Sequence, residues 1–271
     1  MRRFGALDEI FSAGPEAFYN IVGIPDAQAR RLGHARQCLD QAQAFAAGLA
    51  EREIGILTCF DEAYPPLLLE LHDPPPLLYY RGRLPDPARR AAAVVGCREA
   101  TAGGMEVTSR VVRELVKQRV QIISSLVGGI DAAAHLAARA AGGDSFAVAE
   151  SGIEHIADRE RISVAVDLAP HGGVIFESAP DVVATSETRR QSHRLIVGLA
   201  QAVVVTEIAD DAERVLDFFA SCREVGKLAF VMLDPDRPGL IDAAPLSRAV
   251  ELGAIPIDGY GTLPEIIRSL V

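Results

Sequence analysis

Apolar and polar positions alternate differently in two parts of the chain. Over residues 1–50 the spacing is helical: 15–22 reads as a short helix, Gly23-Ile24-Pro25 as a turn, and Asp26 caps a longer helix running to about Leu49. From residue 54 short apolar runs take over. Residues 54–60 and 77–81 read as strands, punctuated by Pro65-Pro66, Pro74-Pro75-Pro76 and Pro85-Asp86-Pro87. Beyond Ala91, strands at 91–95, 120–124, 145–149, 174–177, 202–207 and 228–233 alternate with helices at 104–119, 130–141, 161–169, 188–200 and 212–226. Continuously apolar strands between amphipathic helices predict an α/β fold, a Rossmann-like and mostly parallel sheet with helices on both faces. The pattern divides the chain into a small all-helical domain over 1–52 (SAM- or helix-hairpin-helix-like), an extension and linker over 53–90, and the Rossmann-like domain over 91–271. Ligands of such sheets bind at the carboxyl ends of the strands.

Composition narrows the class. The chain has 271 residues, 49% of them hydrophobic, and no Trp, so it is long enough for a sizeable core and is not disordered. Its net charge of −10 excludes a uniformly basic nucleic-acid coat. The charge is uneven, however. Residues 88–119 hold seven Lys/Arg against three Glu, and residues 207–217 hold five carboxylates against Arg214. Cys38, Cys59, Cys97 and Cys222 show neither CxxC nor zinc spacing, which predicts reduced thiols, no metal and no cofactor. No apolar run approaches the roughly 18 residues of a membrane span, and the N-terminus has no apolar signal core, so a soluble, cytoplasmic protein is expected.

Three segments carry candidate chemistry. Gly96, ending the strand 91–95, precedes Arg98, and the helix start beyond it suits a phosphate; the alternative is a plain turn with a solvated arginine. The spacing matches neither a Walker A loop nor GxGxxG. Gly128 and Gly129 open the next helix, with Asp131 and His135 one turn apart on one face; the pair suits a helix-start bracket better than a metal site, which lacks a third ligand. Arg189, Arg190 and Arg194 cluster at the start of the helix 188–200, where cations oppose the dipole and a ligand anion would balance them; a solvated helix face is the alternative. Glu207, Asp210, Asp211 and Glu213 read as helix caps. No GxSxG, HExxH or Cys–His signature asks for catalysis.

These segments, taken in order, resemble the DprA/Smf DNA-processing family. The resemblance rests on Tyr64-Pro65-Pro66, Asp73-Pro74-Pro75-Pro76, Val95-Gly96-Cys97-Arg98, Gly129-Ile130-Asp131 with Ala134-His135, the helix from Arg194 to Ala200, and Gly253-Ala254. Departures are Cys97 for a serine, Ser124-Ser125-Leu126-Val127 in a glycine-containing loop, Ser192-His193-Arg194 for an RNR, 154–158 in place of a YP-containing segment, and Ala209-Asp210-Asp211-Ala212-Glu213 for an SGSLxT turn. The resemblance implies a non-enzymatic protein that binds and protects single-stranded DNA in natural transformation, aids loading of a RecA-type recombinase, and forms a homodimer. Gly96, Arg98, Gly128, Gly129, Asp131, His135, Arg189, Arg190 and Arg194 would then bind DNA phosphates. Two rivals stand beside it: a nucleotide-phosphate binding or hydrolysing protein on a related scaffold, whose glycine loops would hold one nucleotide, and an interaction scaffold that binds no DNA.

Overall fold

Among the described residues, one nine-stranded sheet organises residues 54–271, in the order β1 (Gly55–Thr58), β2 (Leu77–Gly82), β6 (Gly172–Phe176), β5 (Ser145–Val148), β4 (Gln121–Ser125), β3 (Ala91–Val95), β7 (Ala202–Val205), β8 (Leu228–Leu233) and β9 (Ile255–Asp258). Strands β3 to β9 pair in parallel, whereas β2 lies antiparallel to both β1 and β6. The computed structural model describes residues 12–19, 24–34, 38–156, 171–209, 212–237 and 241–263, together with Glu9, Ile21 and Leu168. The chain divides into two units, residues 1–53 and 54–271.

In the second unit, strand side chains alternate between faces as the pleat requires. Ala91, Ala93 and Val95 of β3 enter one core with Leu195, Leu199, Val215, Phe218 and Phe219. Ala92 and Val94 enter the other with Val107, Val111, Leu115, Ala134 and Ala138. The first face is therefore covered by α5 (Ser186–Leu199) and α6 (Ala212–Glu224), the second by α3 (Ala102–Lys117) and α4 (Ile130–Ala140). Each fully buried Val, Ile or Leu contributes about 1.5–3 kcal/mol relative to exposure. A further helix, α7 (Ala243–Glu251), and β9 complete the second unit, and neither is expected from the sequence pattern.

The segment before β2 is tied down locally. The buried Tyr64 hydroxyl donates to the Pro75 carbonyl at 2.6 Å, and Leu68 and Leu71 meet α5 where Gly198 leaves no room for a side chain. Residues 55–82 are thus part of the sheet itself, and they bring Asp73 to α5.

The first unit differs from expectation. In place of one long helix there are two, α1 (Asp26–Gly33) and α2 (Leu39–Glu51), the first ending at Gly33 with the His34 N–H bonded back to Arg30 and Arg31. A single 3-10 turn, Pro15–Ala17, stands within the expected 15–22 helix. Gly23 of the expected hairpin, and most of the expected helix 161–169, lie outside the described residues. Among the described residues no helix is long and apolar enough to cross a membrane.

Candidate functional site

The sheet reverses its winding between β3 and β7, so the crevice there is the default ligand position. It is filled from within. Glu207, following β7, is buried; its carboxylate accepts from the Thr101 N–H at 3.1 Å, the Thr101 hydroxyl at 2.6 Å and the Cys97 thiol at 3.1 Å. Thr101 is the N-cap of α3, and a Cβ at Gly104 would overlap the Glu207 carboxylate. The helix start after Gly96, which the sequence offers to a phosphate, thus holds an internal carboxylate.

A second internal network locks the adjacent loops. The buried Arg214 of α6 donates to the Gly96 carbonyl at 2.7 Å, the Ser125 hydroxyl at 3.1 Å and Asp131 at 2.7 Å. Asp131, fully buried, also accepts from the Gly96 N–H at 3.1 Å and from the Ser125 hydroxyl. Burial pushes its carboxyl up, and Arg214, Ser125 and the Gly96 N–H oppose that. Gly129 has φ +70°, and a Cβ there would overlap the carbonyl oxygens of Arg98 and Cys97, so both its conformation and its surroundings demand glycine.

His135 is buried too, its ring nitrogens bonded to the Ser145 hydroxyl at 2.8 Å and the Ser125 carbonyl at 3.1 Å. Burial pushes it down to about 4, so it is neutral at neutral pH. The sequence reading offers Gly96, Asp131 and His135 to a phosphate, and the structure bonds all three internally. Gly96, Asp131 and His135 shape the β3 and β4 loops from beneath and present no side chain to a phosphate. Asp131 and His135 each bond to Ser125 rather than to each other.

What remains partly open lies toward β4, β5 and β6. Gly128 and Gly129 stand half-buried beside Arg98. Arg98, with 38% of its side chain exposed, and Arg189 of α5, with 42%, both approach one oxygen of Glu150 at 3.6 Å. Glu150 follows β5 and is buried. Arg194 bonds Glu177, which follows β6, and also reaches Asp73 at 3.3 Å. Burial pushes Glu177 up, opposed by Arg194. Arg190 points outward and pairs with Glu187 at 2.6 Å. The start of α5 tolerates its arginines because each meets a carboxylate, and because Thr185 and Thr188 form a capping box. The structure therefore brings Arg98, Arg189, Gly128 and Gly129 together, sets Arg194 five residues beyond Arg189 on α5 where it pairs with Glu177, and leaves Arg190 at the periphery.

His193 lies under this cluster, stacked on Phe218 with centroids 4.1 Å apart. Burial, then the positive charge of Arg214, Arg189 and Arg98, pushes it down to about 3. Among the described residues, His193 Nε2 and one oxygen each of Glu150 and Glu177 are buried without a hydrogen-bond partner. Buried polar atoms without a protein partner call for an explanation, an ordered water or ion being the ordinary one. No group of His, Cys, Asp and Glu suited to a metal occurs among the described residues. A cavity of about 530 Å³ opens beside α5, with Glu177, Arg190, His193, Arg194, Asp217 and Glu224 in its wall.

Sequence reasoning missed Glu150, Glu177, Glu207 and Arg214 as partners. Glu177 directly follows an apolar strand, and Glu150 and Glu207 come two residues after one, the signal that marks them.

Comparison with known proteins bears on the family and the fold. The sequence model of the family described as DNA recombination-mediator protein A matches residues 55–213. The chain is 27% identical to the DNA processing protein DprA of Bacillus subtilis, over 81% of this chain and 74% of that one. It is 34% identical to Protein Smf of Escherichia coli, over 69% of this chain and 50% of the relative. Across the curated relatives it matches, the chain spans from about a third to about three quarters of their own length. The structure of DNA processing protein A from Streptococcus pneumoniae superposes with a TM-score of 0.74 at 24% identity, covering 93% of this chain and 86% of that one. A Helicobacter pylori structure, described as showing a single-stranded DNA binding mode of DNA processing protein A, gives 0.66 at 22% identity, over 80% and 95%. At those identities the two structures speak for the fold, and the family match covers more than half of the sequence. The chain belongs to the DNA recombination-mediator protein A family.

Proposed function

We propose that the protein binds single-stranded DNA in DNA processing, without catalysis, through phosphates received by Arg98 and Arg189 beside the Gly128-Gly129 loop. One observation carries this reading: two half-exposed arginines from different elements converge at the carboxyl ends of the parallel strands on a single buried carboxylate. Guanidinium groups match phosphate oxygens in geometry and keep their charge at any physiological pH. Arg194, and Arg190 at the rim, extend the positive track along α5. The Helicobacter pylori relative's single-stranded DNA binding supports the same choice of ligand. Within this reading the protein works in the cytoplasm as a homodimer and hands DNA to a RecA-type recombinase. The domain plan keeps residues 1–52 as a separate helical module.

The test is titration of a fluorescently labelled oligodeoxythymidylate, read by anisotropy, alongside a thermal-shift screen of mononucleotides. Saturable oligonucleotide binding that weakens about tenfold or more in Arg98→Ala supports the reading. A mononucleotide at 100 times its Kd would add about 2.7 kcal/mol of stability. That shift, without oligonucleotide binding, would replace DNA with a nucleotide as the ligand.

A further inference from the structure

We infer that Glu150 is a built-in competitor for the phosphate received by Arg98 and Arg189, and that it thereby sets the affinity of the site and favours ligands carrying several phosphates. Both guanidinium groups approach the same Glu150 oxygen at 3.6 Å, beyond the 2.7–3.2 Å range of an N–H···O hydrogen bond. The contact is an ion pair without hydrogen bonds, hence easily exchanged for a better acceptor. Its other oxygen is buried and bonded to no partner among the described residues. A carboxylate satisfied in this way is not there to brace the fold. It holds two arginines from separate elements at one point while their exposed sides face solvent.

A phosphate that reaches these arginines must share them with the fixed negative charge. A lone phosphate or mononucleotide has only this contact with which to offset the repulsion. A polynucleotide has its neighbouring phosphates as well, and these can meet Arg194 and Arg190 farther along α5. The carboxylate therefore works against small anions more than against a strand.

The inference rests on the reading of Arg98 and Arg189 as phosphate ligands, so the experiment separates the two. Labelled oligodeoxythymidylate is titrated into wild type, Arg98→Ala, Glu150→Gln and Glu150→Asp, with thermal unfolding as the check on folding. Two charges about 6 Å apart, screened as in bulk water, repel enough to change binding about threefold, and partial burial raises that figure. Glu150→Gln should thus bind the oligonucleotide at least about threefold more tightly than wild type, and Glu150→Asp should move in the same direction because its shorter arm withdraws the charge. Inorganic phosphate added as a competitor should inhibit Glu150→Gln at lower concentration than wild type. Arg98-dependent binding that neither Glu150 variant tightens overturns the role of Glu150 and leaves the DNA reading standing. Binding that ignores Arg98 overturns both. Should Glu150→Gln fail to fold, the Glu150→Asp titration decides alone.

Discussion

Replacing Arg214 by Met tests whether the internal network, and not ligand, organises the loops after β3 and β4. Arg214 is 9% exposed, and its guanidinium serves the Gly96 carbonyl, the Ser125 hydroxyl and the fully buried Asp131. Methionine fills similar space but leaves Asp131 without its counter-charge. Breaking a buried pair by removing one partner costs about 3–5 kcal/mol. In a unit of this size 1 kcal/mol lowers Tm by roughly 2–4 °C, so the variant should melt roughly 6–20 °C below wild type. The loss also has a pH signature. Burial already pushes Asp131 up, and without Arg214 the largest opposing influence is gone. A carboxyl with a raised folded pKa binds a proton more readily folded than unfolded. The penalty is then absent below the unfolded pKa and grows as pH rises through the window up to the folded pKa. Arg214→Met should therefore be most destabilised at neutral pH and recover part of the deficit toward pH 5, read by chemical denaturation at each pH. A loss below about 1 kcal/mol at pH 7, or one that does not shrink on acidification, would refute the assignment of Arg214 as the partner that opposes the effect of burial on Asp131.

Three further outcomes follow from the same geometry. Gly129 and Gly142 share a φ near +70°, but only Gly129 is pressed against backbone carbonyls. Alanine at Gly142 should cost about 1 kcal/mol of strain, and at Gly129 about 3 kcal/mol or more with loss of DNA binding; equal costs in denaturation would contradict the close approach. His135 and His193 are held down to about 4 and about 3, below the unfolded value near 6.5. The unfolded chain then binds more protons, so stability is present above that unfolded value and falls as pH drops; between pH 6.5 and 5 the two histidines together should cost about 3 kcal/mol, and His135→Gln should reduce the slope. Glu207→Ala strips Thr101 and the start of α3 of their acceptor, and should cost about 2–3 kcal/mol by thermal unfolding, whereas an unchanged Tm would show that the carboxylate does not brace the crevice.

The fold was legible where local pattern determines it. Strands such as β3 and β4, apolar at nearly every position, announce a sheet covered on both faces, and Thr185 and Gly129 mark helix starts. Strand order was not legible, because β7 returns beside β3 through contacts made more than 100 residues apart. Strand β9 escaped notice because Ile255 and Pro256 are exposed at the sheet edge, which blurs the alternation. The site follows the same logic. Spacing along a helix shows which side chains share a face, and so suggested Asp131 with His135. It says nothing about Arg214, 83 residues from Asp131, or about Glu207, 106 residues from Thr101. Those distant partners decide which glycine-loop residues are internal struts. Glu150 and Glu177 are likewise paired with arginines, and Glu207 with hydrogen-bond donors, near the strand ends.

The most direct measurement is the salt dependence of oligodeoxythymidylate binding by wild type and by the Arg98→Ala/Arg189→Ala double variant. Each phosphate neutralised on a single strand contributes about −0.7 to the slope of log K against log salt concentration. If Arg98 and Arg189 each receive a phosphate, the double variant should bind more weakly with a slope shallower by about 1.4. An unchanged slope, or wild-type binding that does not respond to salt, would contradict the account.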